Sequence, residues 1–213
     1  MRRAVLGAPR RPKARATFYS LDRPYEPPLA AIRLAATVTL MSHYLPSPAI
    51  APSAAALEAF RVAAKAAAPL LQLDGAQLEP RWIGLDQDST HAIFQLIRTG
   101  DKRGTFTLPW IVERTGTPTP TVGNLLVLVD MDGTPTLLVR VTRLDRAVFG
   151  AVRAEHTVID GSPVRDPAVW VPLHTQYWNN HLAPFGLAVS TDMPFWIEEF
   201  ELLYDSSHAK EMP

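Results

Sequence analysis

The chain contains no cysteine. That absence removes disulfide cross-links, thiolate zinc sites and a cysteine nucleophile together, and it fits the reducing cytoplasm, where the protein is expected. Long apolar runs are also missing: nowhere do about eighteen uninterrupted apolar residues occur, so no membrane-spanning helix is expected. An excess of either charge is absent too. The 21 basic and 21 acidic side chains cancel, leaving no global field for a polyanion, so any nucleic-acid contact has to come from a local patch. Metal ligands are poorly placed. His174 and His181 stand seven apart, not at the spacing that puts two ligands side by side on a helix, and His91 and His156 have no evident partner. No metal site and no cofactor are therefore expected.

What is present describes a globular protein. With 47% hydrophobic and 20% charged residues over 213 positions, the chain suffices for one ordinary domain plus an appendage, or for two small domains. The first of these fits the pattern better. Residues 1–51 begin with the basic, acid-free MRRAVLGAPRRPKARA and are interrupted by Pro9, Pro12, Pro24, Pro27, Pro28, Pro46 and Pro48. Such proline density opposes both helix and strand, which makes this an irregular or disordered arm. Only Leu29 to Met41 is apolar enough for a short helix. Three readings of the arm stay open: an organelle transit peptide, a basic arm on RNA phosphates, or upstream sequence with Met41 the natural start, which is favoured.

From residue 52 to 205 the spacing predicts one domain of helices and strands. Ser53 caps a helix, SAAALEAFRVAAKAAA, with Leu57, Phe60, Ala64 and Ala67 on one stripe and Pro69 at its end. Arg81 to Leu85 is a short strand candidate. Ser89 or Thr90 caps a second helix, with Ile93, Phe94 and Ile97 inward, ending at Gly100. The period then changes from 3.6 to 2: Phe106, Leu108 and Trp110 alternate with Thr105 and Thr107, which puts Thr105 on the face opposite the aromatic residues. After a loop, LLVLVD and TLLVRVTRL form a hairpin about Met131-Asp132-Gly133, buried on both faces as in a small closed barrel. A short helix or turn ends at Asp160-Gly161. Asp166 with Pro167 starts a helix carrying Trp170, Leu173, Tyr177 and Trp178, which Pro172 should bend or break. A last strand runs from Pro194 through FWIEEFELLY, and the polar tail from Asp205, with residues 206–213, is expected to fray.

The stretch TGDKRGTFTLPW, Thr99 to Trp110, holds the strongest functional signal. Lys102 and Thr105 place an amine and a hydroxyl three positions apart on a short connection. The bland readings are a solvated lysine at a helix C-terminus, a β-forming threonine, and, for Asp160, a turn residue before glycine.

In register, these segments resemble the ASCH domain of the bacterial single-domain type, from about Trp82 to Tyr204. Gly100-Asp101-Lys102-Arg103-Gly104-Thr105 is similar to G-x-K-x-x-T/S, and Val122-Gly123-Asn124 to V-G-D. Phe149 is followed by a short helix ending in an acidic residue and glycine, here Asp160-Gly161. Trp170 with His174 and Tyr177 or Trp178 is similar to W-x-x-x-H-x-x-F-F, and Thr191-Asp192-Met193-Pro194 to S-E-D-M-P. The resemblance implies an α+β, PUA-like fold: a small antiparallel β pseudo-barrel with flanking helices and a cleft. It also implies an RNA or modified pyrimidine nucleoside partner. Within the family some members hydrolyse N4-acetylated cytidine and others cleave RNA. Carried over, the amidohydrolase set is Lys102, Thr105 and Asp160, where the family has glutamate; aspartate withdraws the carboxylate by one methylene, although a proton-transfer group must come within about 3 Å of its proton. Ser162-Pro163 and Pro172 are further departures. In this mechanism a buried, neutral Lys102 takes the Thr105 proton, and the carboxylate orients the amine or protonates the leaving nitrogen. Trp82, Arg103, Trp110 and Tyr177 are the substrate-contacting candidates, the aromatics as stacking surfaces for a pyrimidine. A non-catalytic RNA-binding module and a ribonuclease are the rival readings.

Overall fold

The computed structural model describes residues 49–207. The basic arm up to residue 48 and the tail from 208 lie outside the described residues, and with them the expectations made for those segments.

Local chemistry accounts for the helices. Helix α1, Ala54–Ala67, starts where the Ser53 side chain accepts a hydrogen bond from the Ala56 amide at 3.0 Å. It lays Phe60 and Ala64 onto the sheet, Phe60 edge-on to Tyr204, while Ala67 at the end of the expected stripe is exposed. Helix α2, Gln87–Arg98, begins earlier than the spacing predicted. Asp86 is its cap, accepting from the Ser89 amide at 2.8 Å, and Ser89 lies inside the first turn, its hydroxyl accepting from the Asp86 amide at 3.0 Å. Phe94 and Ile97 face inward as expected.

The strands are β1, Leu78–Arg81; β2, Gly104–Thr107; β3, Leu125–Val129; β4, Pro135–Val148; and β5, Pro194–Asp205. They form one sheet in the order β1-β3-β4-β5-β2, with β1 parallel to β3 and every other pair antiparallel. The sheet is open. The closed barrel expected for the hairpin is corrected accordingly: β1 and β2 form the two edges and share no ladder, and a side-chain bond reaches from one to the other, Arg81 Nη1 donating to Thr107 Oγ1 at 3.0 Å. The β3–β4 hairpin is buried on both faces, as its apolar runs required. On one face Val127, Val129 and Leu138 meet α1; on the other Leu126, Leu128, Leu137, Val139, Val141 and Phe200 meet α2.

Other boundaries also differ from the sequence reading. Strand β1 covers residues 78–81, not 81–85, because its alternate residues Glu79 and Arg81 engage each other and a distant carboxylate, which hides the strand's periodicity. Strand β2 stops at Thr107: Pro109 starts helix α3, Pro109–Thr115, so Trp110 belongs to a helix and not to the alternating strand. Helix α4, Ala154–Thr157, precedes Asp160, and helix α5, Pro167–Leu182, runs through Pro172 without a break. Asp205 is not frayed. It is buried, accepts from Arg98 Nε at 2.7 Å, and is followed by a Ser206 amide bonded to the Thr136 carbonyl at 3.0 Å. Among the described residues no helix is long and apolar enough to cross a membrane.

Candidate functional site

Strand β2 separates two polar groupings. The first forms where the chain leaves α2. Gly100 takes a left-handed φ of 74° to end the helix, and the Lys102 amide folds back to the Leu96 carbonyl at 2.9 Å. Lys102 and Asp160 then form an isolated antiparallel bridge, and the Arg103 amide bonds the Ile159 carbonyl at 2.9 Å. Main-chain pairing thus brings together two motifs 58 positions apart. Above it, Lys102 Nζ forms an ion pair with Asp160 Oδ1, both residues less than a tenth exposed. Asp101 holds the acidic loop in place, accepting from the Ser162 amide at 2.8 Å and from Arg165 at 3.2 Å.

A third residue completes this grouping. His174 Nε2 stands 3.7 Å from Asp160 Oδ2. Its Nδ1 lies 3.0 Å from the Trp170 carbonyl, and since a carbonyl only accepts, Nδ1 carries the hydrogen. The ring stacks on the Trp170 indole, centroids 3.9 Å apart and planes at 15°. Burial pushes the His174 imidazole down to about 4, against a smaller opposing pull from Asp160 and the Trp170 carbonyl. The ring is therefore neutral near pH 7, with a bare Nε2 toward the carboxylate.

The second grouping lies on the other side of β2. Phe106 packs against Trp170 and His174, so strand alternation turns Thr105 and Thr107 the opposite way. Thr107 donates its hydroxyl to Glu198 Oε1 at 2.5 Å. Arg81 reaches Glu198 Oε1 at 3.5 Å through Nη1 and Glu79 Oε1 at 2.6 Å through Nη2. Burial alone would lower the Arg81 guanidinium; the charges of Glu198 and Glu79 outweigh it and raise it. Thr105 is half-buried and directly opposite Glu198 in the ladder. No hydrogen bond joins its hydroxyl to Lys102 or Asp160.

The structure therefore brings Lys102 and Asp160 together and turns Thr105 away from them. The remaining candidates are dispersed. Trp82 is buried in the core beneath α1; Arg103 is exposed, its backbone tied to Ile159 and Phe200. Trp110 and Tyr177 both pack against the aromatic cluster around Trp170, Tyr177 edge-on to His174. A hollow of about 360 Å³ is lined by Glu79, Thr119, Thr121, Gly123 and Asn124 among others, and a more open one of about 420 Å³ by Lys102, Arg103, Arg98 and Phe200. Sequence reasoning placed His174 in a family motif without giving it a role at the site, and passed over the Glu79–Arg81–Glu198 cluster. The signals were there: a histidine four residues after Trp170, and charged residues set in otherwise apolar strands.

A curved, open five-stranded mixed sheet with helices on both faces is a PUA-like α+β fold. The family model described as the ASCH domain matches residues 81–204, more than half the chain, and the chain belongs to that family. Among solved structures, it is similar to an ASCH domain from Lactobacillus crispatus JV V101, with 18% identity, a TM-score of 0.62, and coverage of 72% of this chain and 96% of that one. A protein from Enterococcus faecalis V583 is comparable: 18% identity, a TM-score of 0.61, and coverage of 75% and 96%. No curated protein matches the sequence.

Proposed function

We propose that this ASCH domain recognises a pyrimidine nucleoside or RNA, and that recognition rather than turnover by a Lys102–Thr105–Asp160 set is its activity. The observation that carries this reading is the division of the three groups. The Lys102 amine is occupied by Asp160, and Thr105, whose ladder partner is Glu198, makes no hydrogen bond to either of them. A lysine held in an ion pair has no free amine to take a hydroxyl proton, and a nucleophile without a base in reach is not activated. Both sides of β2 nevertheless carry concentrated hydrogen-bonding groups, which a polar ring system with donors and acceptors on its edge can use.

A second reading, hydrolysis of N4-acylated cytidine, draws support from the burial of Lys102 and Asp160 beside a neutral His174. In that reaction water adds to the acyl carbon, the carbon–N4 bond breaks and N4 takes a proton, leaving cytidine and a carboxylic acid. One experiment separates the readings: titrate the purified protein with cytidine, uridine and short single-stranded RNA, and incubate it in parallel with N4-acetylcytidine. Saturable binding without acetate release is expected. Acetate release abolished by Lys102→Ala would replace the first reading by the second, and RNA cleavage that survives Lys102→Ala and needs added metal would point to a ribonuclease.

A further inference from the structure

We infer that the cluster of Thr105, Glu198, Arg81, Thr107 and Glu79 is a ligand-recognition site for the N–H-bearing edge of a neutral heterocycle, with Glu198 and Thr105 its specificity-determining residues. The inference rests on the nucleoside reading above and deepens it, since it says which part of the nucleoside is held and by which side chains.

The argument begins with one oxygen. Glu198 is fully buried, and its Oε1 is served by Thr107 and Arg81, yet its Oε2 is buried with no hydrogen-bond partner among the described residues. A carboxylate oxygen out of water and unpaired is costly. A cluster serving only to tie β1 to β2 has no need of it, because a glutamine, with an amide oxygen in place of Oε1, would accept from Arg81 and Thr107 without a second buried anion. Directly across the ladder, Thr105 carries a hydroxyl with no hydrogen-bond partner among the described residues. Facing residues of an antiparallel pair lie about 5 Å apart at Cβ, so the two side chains share one face of the sheet, where Thr105 is half-buried and Glu198 is fully buried.

Charge then defines the ligand. Two carboxylates, Glu79 and Glu198, share one guanidinium, so the cluster holds a net negative charge and repels phosphate. Glu79 carries this character to the rim of the 360 Å³ hollow, where Thr119 and Asn124 add further polar groups. An ionised carboxylate only accepts, whereas a threonine hydroxyl both donates and accepts. The matching edge pairs an N–H with an adjacent carbonyl or ring nitrogen, as a pyrimidine base does and a ribose phosphate does not.

The test is calorimetric titration of the full chain with cytidine, uridine, 3-methyluridine and ribose 5-phosphate. Wild type is expected to bind cytidine or uridine, and to bind 3-methyluridine, which lacks a base N–H, and ribose 5-phosphate roughly tenfold more weakly or worse. Glu198→Gln and Thr105→Val are each expected to weaken the preferred nucleoside by a similar factor. Melting curves accompany both variants, and Thr105→Val, half-buried and close in shape, keeps the test decisive where Glu198→Gln perturbs folding. Wild-type affinity in a folded Thr105→Val together with unchanged preference in Glu198→Gln overturns the inference and leaves the nucleoside reading standing. Equal affinity for 3-methyluridine does the same, while the absence of any nucleoside binding by wild type removes both.

Discussion

Replacing Lys102 with methionine removes the ammonium facing Asp160 and leaves a carboxylate less than a tenth exposed, beside an imidazole that is neutral near pH 7. Breaking a buried pair by deleting one partner costs about 3–5 kcal/mol, because the remaining charge is stranded. At about 2–4 °C per kcal/mol for a domain of this size, the melting temperature should fall by roughly 6–20 °C. The same reasoning gives the double variant a different outcome. Lys102→Met with Asp160→Leu removes both charges, and an apolar replacement of a buried pair is often neutral or stabilising, so it should recover most of the loss. Urea denaturation of wild type, both single variants and the double variant completes the cycle, and unchanged m-values confirm that the same transition is being compared. A Lys102→Met cost below about 1 kcal/mol, the size of an exposed ion pair, would refute the buried arrangement and with it the reason for assigning the Lys102 amine to Asp160.

Gly104→Ala should destabilise by about 1–3 kcal/mol or more, since a Cβ there would lie 2.3 Å from Ile159 Cδ1 and 2.7 Å from the Glu198 carbonyl; thermal melting reads it directly. His174 and His181 are both held neutral to about 4 by burial. The unfolded chain therefore binds more protons between about pH 6.5 and 4, and stability present above that window falls as the pH drops through it, by up to about 3 kcal/mol for each histidine. Denaturation at a series of pH values should show this slope, reduced in His174→Phe. Burial works to raise the Asp205 carboxyl, but hydrogen bonds from Arg98 and Ser207 prevail and hold it well below the usual carboxylate range. Asp205→Asn should accordingly cost about 1–3 kcal/mol near neutral pH, and its difference from wild type should shrink as the solution is acidified.

Much of the architecture was legible in the sequence because it depends on neighbours in the chain. Ser53 caps α1, Asp166-Pro167 opens α5, Gly100 closes α2, and the apolar runs on either side of Met131-Asp132-Gly133 form a buried hairpin. Each requires only residues a few positions apart. The order of weak motifs was also readable, and it points to the ASCH family and its PUA-like fold. Errors arose where two local signals competed. Asp86 outcompeted Ser89 as a cap, and Pro109 turned an apparently alternating strand into the first turn of α3.

What the sequence by itself determined, then, was most of the elements, because caps, turn residues and apolar periodicity record them locally; the grouping of Lys102 with Asp160 was implied by the family motifs alone. The alternation of Thr105 and Thr107 with Phe106 was readable, but only the tertiary structure decided what lies against each face of β2. It set Thr105 opposite Glu198, brought Arg81 across the two edges of the sheet, and placed His174 against Asp160. These contacts join residues many positions apart through strand register and sheet curvature. A one-residue slip in β2 would exchange its two faces and leave the composition and motifs untouched, which is why neither could be read from the chain alone.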